Sequence, residues 1–141
     1  MRYIDTNVFG YAIENHPVYG NKCRKILEDI FAGKLVAGAS VLVLVELIGV
    51  LGKINQALQN QNKKPLDIRA NIDAVLSIPI TWLDMSIFII KRAAEYSFTV
   101  RGADLTHAAT MQVSSISEII SADKDFDRID FVKRIDPLKH A

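Results

Sequence analysis

The sequence has a single cysteine, Cys23, so no intrachain disulfide can brace it, and no Cys/His group with zinc-ligand spacing surrounds that residue. A reducing cytoplasm is the expected setting. An excess of either charge is also missing: 17 basic and 16 acidic residues leave a net charge of +1, which excludes a globally basic nucleic-acid-binding coat. The opening Met1-Arg2-Tyr3-Ile4-Asp5 reaches an acid after two apolar residues and lacks the apolar core of a secretory signal. No apolar run reaches the roughly 20 residues that a spanning helix needs. The nearest approach, Leu35 to Leu51, is interrupted by Ser40 and Glu46, and a carboxylate at its centre is costly in lipid. That stretch is expected to be buried in protein, with no membrane involved. Gly49-Val50-Leu51-Gly52-Lys53 lacks the spacing of a phosphate-binding loop, and no Ser/His/Asp order of a hydrolase is evident.

What is present is enough apolar material for one core. Half of the 141 residues are hydrophobic and 23% are charged, a balance that excludes intrinsic disorder and fits one domain. Short apolar runs alternate with helical stretches, the pattern of an α/β fold with a parallel sheet between helices. Tyr3-Ile4 reads as a first strand, and Asp5-Thr6-Asn7 as the cap of a helix beginning near Val8 that Pro17 interrupts. A second helix fits Val18 to Ala32, with Gly33 in the left-handed position beyond it. Leu35-Val36-Ala37 reads as a strand, and Ser40 as the cap of a helix from Val41 to about Leu58.

From Asn55 to Asn62 six of eight residues are Asn or Gln, and Lys63-Lys64-Pro65 follows. Residues 55–67 are therefore expected to be a polar arm or loop. Further on, a helix is expected over Asp67 to Leu76, a strand at Pro79 to Leu83, and a helix capped by Asp84 and running through Tyr96. Gly102 is expected to break the chain before a helix from Asp104 to Val113. Ile119-Ile120 and Phe131-Val132 complete the strands. No linker or repeat divides residues 1–141.

In such sheets the functional crevice lies beyond the carboxyl ends of the strands. Asp5 and Asp123 both follow a strand, Glu46 interrupts an apolar helix after the second strand, and Asp104 opens a helix after Gly102. Two carboxylates about 4 Å apart repel by roughly 4 kcal/mol at an effective dielectric of 20, so such a group calls for compensation by a cation. Oxygen ligands without His or Cys favour Mg2+ or Mn2+ over Zn2+. Mg2+ usually shares its shell with a substrate phosphate, so the chemistry implied is hydrolysis at phosphorus.

These residues resemble those of PIN-domain ribonucleases, specifically the short VapC-like toxins of toxin–antitoxin pairs. Asp5-Thr6-Asn7 resembles the opening motif of that family, and Glu46 its helical acid. Gly102-Ala103-Asp104-Leu105-Thr106-His107-Ala108-Ala109 resembles the third acidic motif, and Ser121-Ala122-Asp123-Lys124-Asp125-Phe126 the last. Ser121 departs from the commoner Thr, and its hydroxyl is expected to serve equally. The resemblance covers nearly the whole chain. It implies a three-layer α/β/α fold and a metal-dependent endoribonuclease, held in check by an antitoxin and commonly dimeric. By that resemblance Asp5, Glu46, Asp104 and Asp123 surround one or two Mg2+ or Mn2+ ions, with Asp125 supporting them. Asp104 or Asp123 would orient the attacking water, and Thr6, Asn7 and Ser121 would fix carboxylate rotamers.

Simpler roles compete for several of these residues. Asp5 can be a helix cap, and Asp104 can complement a helix dipole. Arg101, His107 and Lys124 can contact a phosphate, or pair with acids and pack. Apolar helices at Leu42 to Leu58 and Ile72 to Ile78 can supply a dimer surface. Two other functional readings are a non-catalytic RNA-binding scaffold, against which the intact acidic quartet argues, and a metal-dependent phosphatase. The latter lacks an Asp-x-Asp pair after the first strand, because residue 7 is Asn.

Overall fold

The computed structural model describes residues 1–140. Its strands are β1 (Arg2–Ile4), β2 (Ala37–Ser40), β3 (Thr81–Leu83), β4 (Glu118–Ile120) and β5 (Lys133–Ile135). The helices are α1 (Thr6–Glu14), α2 (Gly20–Phe31), α3 (Leu42–Asn60), α4 (Ile68–Leu76), α5 (Ile87–Glu95) and α6 (Gly102–Val113), with short 3-10 helices at Lys124–Arg128 and Pro137–Lys139. All strand pairs are parallel and the sheet order is β3-β2-β1-β4-β5. The chain winds outward from β1 to β3 and then returns to the far side of β1 for β4 and β5. The order therefore reverses between β1 and β4, where Tyr3 is in register with Ile119 and Ile4 with Ile120. A crevice opens at such a reversal because the flanking connections depart to opposite faces.

Alternation along each strand builds the two outer layers. Ile4, Ala37, Ala39 and Ile120 face α1 to α4, packing with Phe9, Ile26, Ile30, Val43, Leu47 and Leu51. Tyr3 and Ile119 face the other side, among Ala108, Met111, Ile116, Phe126 and Ile129. Helix α5 docks on α6 through Ile89, Ala93 and Ala109. Each fully buried Ile, Leu or Phe contributes about 1.5–3 kcal/mol relative to exposure. The expected α/β/α sandwich is what forms.

Several boundaries differ from expectation. Helix α1 starts at Thr6, not near Val8, because the Asp5 carboxylate accepts the first free backbone N–H, that of Thr6. Strand β2 lies two residues later than expected, although the Ser40 hydroxyl still accepts the Leu42 N–H at the start of α3. The polar segment is divided: residues 55–60 complete α3, and only the remainder to Asp67 is loop. Asn55 anchors that loop by bonding both the N–H and the C=O of Leu66.

Helix α5 is capped by Ser86 rather than Asp84, the Ser hydroxyl accepting the Ile89 N–H. Gly102 does not break the chain but begins α6. The last strand is Lys133–Ile135, while Val132 packs into the core instead. Gly33, at φ +75°, takes the left-handed position expected beyond α2.

Helix α3 is long and apolar enough by length and composition to cross a bilayer, but it lies on the sheet through Val43, Leu47 and Leu51. Its other faces are not buried as expected: Val45 and Ile48 are exposed. Cys23 is buried in the α1–α4 layer, and burial pushes its thiol up to about 12, so it stays a protonated packing group.

Candidate functional site

The crevice at the reversal is a cleft of about 240 Å3, and Asp5, Glu46, Asp104 and Asp123 all line it. Each arrives by a different element. Asp5 leaves the carboxyl end of β1 and Asp123 follows β4, Glu46 projects from the second turn of α3, and Asp104 lies in the first turn of α6. The topology brings the four acids together from separations of 41, 58 and 19 residues along the chain.

Asp5 is held on all sides. Its Oδ1 accepts the Thr6 N–H at 2.7 Å, and its Oδ2 accepts Ser121 Oγ at 2.5 Å and Asn7 Nδ2 at 3.0 Å. Asn7 is fixed in turn, since its Oδ1 accepts the Ala122 N–H at 3.2 Å. Ser121 Oγ also accepts the Asp123 N–H at 3.0 Å, which ties the start of the β4 loop to β1. Burial pushes the Asp5 carboxyl above its ordinary value, against the opposing hydrogen bonds from Ser121 and Thr6.

Glu46 is held by one oxygen. Its Oε1 accepts Thr6 Oγ1 at 3.0 Å and lies 2.5 Å from His107 Nε2. Burial alone would raise this carboxyl, but His107, Thr6 and Arg101 outweigh burial and hold it below the usual range. His107 is 1% exposed and both ring nitrogens are occupied, Nδ1 by the Tyr3 hydroxyl at 2.5 Å. The expectation of a phosphate contact at His107 is thereby corrected, since no nitrogen is free to meet a ligand.

The third group is looser. One carboxylate oxygen each from Asp104, Asp123 and Asp125 lies within 4.8 Å of the others. Burial pushes the Asp104 carboxyl upward, and Arg101 opposes this. Arg101 sits across two of the three acids, with Nε 3.3 Å from Asp104 Oδ2 and a terminal nitrogen 3.1 Å from Asp123 Oδ2. Its side chain is 70% exposed, so it is a surface cation laid over the carboxylates. Asp125 also pairs with Arg128 at 3.8 Å. Lys124 is exposed and forms no ion pair among the described residues.

This donor set fits a hard divalent cation. It consists of carboxylate oxygens, one of them on a buried residue whose ionised form is disfavoured without a neighbouring positive charge. Asp5 and Glu46 line the same cleft, but the oxygens described above are already committed to protein donors.

Four further cleft residues escaped the sequence reading. On α1, Gly10, Tyr11 and Glu14 continue the line of Asn7 at helical spacing, and Val50 lies one turn beyond Glu46 on α3. That i, i+3, i+4, i+7 stripe is a signal that could have found the α1 residues.

Comparison with known proteins agrees with this architecture. The fold is similar to that of the toxin VapC20 of Mycobacterium tuberculosis, described as sarcin-ricin loop cleaving. The TM-score is 0.71 at 17% identity, covering 94% of this chain and 97% of that one. It is also similar to VapBC2 of Rickettsia felis bound to a DNA fragment from their promoter, with a TM-score of 0.67 at 23% identity, covering 96% and 98%. A toxin–antitoxin complex of Klebsiella pneumoniae gives a TM-score of 0.63 at 16% identity, covering 97% and 98%. At such identities the likeness shows the fold. No curated protein sequence matches the chain. The PIN domain family model matches residues 2–132, nearly the whole chain. A five-stranded parallel sheet with acids converging at its reversal point, matched along its length by that model, places the chain in the PIN domain family.

Proposed function

We propose that the chain is a metal-dependent endoribonuclease that hydrolyses RNA phosphodiester bonds and serves as the toxin of a toxin–antitoxin pair. The observation that carries this reading is the meeting of Asp5, Glu46, Asp104 and Asp123 in one cleft, with three carboxylate oxygens close enough to share an ion. Asp104, Asp123 and Asp125 would hold Mg2+ or Mn2+, with Asp5 and Glu46 completing the negative wall. When bound, the ion supplies a water of lowered pKa and offsets charge developing on the phosphate.

The remaining work falls to the chain. Asp104 or Asp123 would orient the attacking water and take its proton as the water oxygen bonds to phosphorus and the P–O ester bond breaks, and the departing oxygen takes its proton from solvent water. Ser121 and Asn7 keep Asp5 in one rotamer, and Thr6 does the same for Glu46. Arg101, exposed at the rim, exchanges its carboxylates for the substrate phosphate.

The antitoxin partner rests on a structure of similar fold described as a toxin–antitoxin complex. A homodimer would use the exposed apolar side chains of α3, Val45 and Ile48. The setting is the cytoplasm, where one buried thiol needs no oxidising environment.

The test is cleavage of single-stranded and structured RNA with Mg2+ or Mn2+, comparing wild type with Asp5→Asn and Asp104→Asn. The wild type is expected to cut internally and each variant to lose at least about 100-fold, since even groups that only support a metal site contribute 10- to 100-fold. Equal activity in all three would overturn the reading. Hydrolysis of a phosphate monoester with RNA untouched would establish a phosphatase instead.

A further inference from the structure

A buried line of hydrogen bonds runs from the sheet to the cleft. The Ser40 N–H donates to the Tyr3 hydroxyl at 3.1 Å, that hydroxyl lies 2.5 Å from His107 Nδ1, and His107 Nε2 lies 2.5 Å from Glu46 Oε1. Tyr3 and His107 are 0% and 1% exposed. Counting donors fixes the direction of the line. A phenol has one proton, and Tyr3 already accepts from a backbone N–H that cannot reverse its role. Among the described residues the only acceptor for the phenol proton is His107 Nδ1. Were the phenol to accept from Nδ1 as well, its own proton would be buried with no acceptor, a cost avoided when it points at Nδ1. Nδ1 is therefore bare, and the neutral imidazole carries its proton on Nε2, where Glu46 Oε1 receives it.

The same oxygen also accepts Thr6 Oγ1. Glu46 Oε2 has no protein partner, and because no buried polar atom is left unpartnered, Oε2 is open to solvent in the cleft. One oxygen is pinned and the other is presented.

We propose that Tyr3 and His107 are positioning residues: the Ser40–Tyr3–His107 line sets the imidazole as an Nε2–H donor, clamps Glu46 through Oε1, and leaves Oε2 as the atom offered to a cleft cation or its water. This rests on the nuclease reading for the use made of Oε2, but not for the direction of the line. The origin of that direction is a backbone amide at the carboxyl end of β2, so the sheet itself orients an acid on α3 through a side chain on α6.

The experiment reads the tautomer first. In the 15N-labelled full chain, imidazole spectra are expected to show the His107 proton on Nε2 with Nδ1 bare, and a proton on Nδ1 would overturn the proposal. In Tyr3→Phe a second neutral tautomer is expected to appear, and an unchanged spectrum would remove Tyr3 from the line. Mn2+ binding is then compared in His107→Gln, whose amide N–H can stand near the Nε2 position, and in His107→Leu. The Leu variant is expected to lose about 10-fold or more in Mn2+ affinity and the Gln variant to recover most of it. Equal affinity in the two would overturn the proposal. Should the wild type cut no RNA, the nuclease reading fails, while the imidazole spectrum still decides the line.

Discussion

The two sides of the cleft are built differently. On the β1 side, Asp5 has both oxygens satisfied by Thr6, Asn7 and Ser121, and Ser121 is itself fully buried. On the α6 side, Asp104, Asp123 and Asp125 crowd together and are neutralised by an exposed arginine. The first side is a framework whose geometry is complete without a ligand. The second is unfinished, because an exposed surface cation stands where its carboxylates need positive charge. A metal site needs both properties: rigid groups to define the geometry, and a place where water and ions can exchange.

The largest test of that contrast is stability. Ser121→Ala removes a short hydrogen bond to a buried carboxylate and is expected to cost about 1.5–3 kcal/mol in chemical denaturation, the range for a bond to a charged group. Asp125→Asn, on the unfinished side, is expected to stay within about 0.5 kcal/mol of wild type. Equal costs would mean that the two sides do not differ in rigidity. A smaller effect is expected at Arg101. Arg101→Gln leaves the three acids without their surface cation, so saturating Mn2+ should raise the Tm of this variant by a few degrees more than it raises that of wild type. An identical increment would show that Arg101 does not stand in for a metal ion.

Much of this site could be read from the sequence because its acids occupy positions that local chemistry marks. Asp5 follows an apolar strand, and Glu46 interrupts an apolar helix with no local reason to be there. The elements less legible are those decided by distant contacts. Asp84 and Ser86 are both good helix caps, and only the burial of Ile89 against α6 selects Ser86. Strands of three residues carry almost no periodicity, so β5 begins at Lys133, two residues later than the Phe131-Val132 strand that the sequence suggests. The Asn/Gln-rich end of α3 looks like a loop until Asn55 is seen to bond Leu66. His107 could not be assigned for the same reason, since its partner Tyr3 is 104 residues away.

The most direct test of the central claim is the thermal or chemical unfolding of wild type and Asp104→Asn, each with and without Mn2+. A buried carboxyl with a raised pKa destabilises the fold when ionised; the penalty is complete above the folded pKa and absent below the ordinary value of about 3.9. The lost pairing with Arg101 weighs little, because that arginine is largely exposed. Without metal, Asp104→Asn should therefore be the more stable protein at neutral pH, with the difference closing as the pH falls through the folded value of Asp104. With saturating Mn2+ the order should reverse, because only the wild type gains the full binding energy. A wild type that is more stable than the variant without metal, or that gains nothing from Mn2+, would contradict the claim that these acids are gathered to hold a cation.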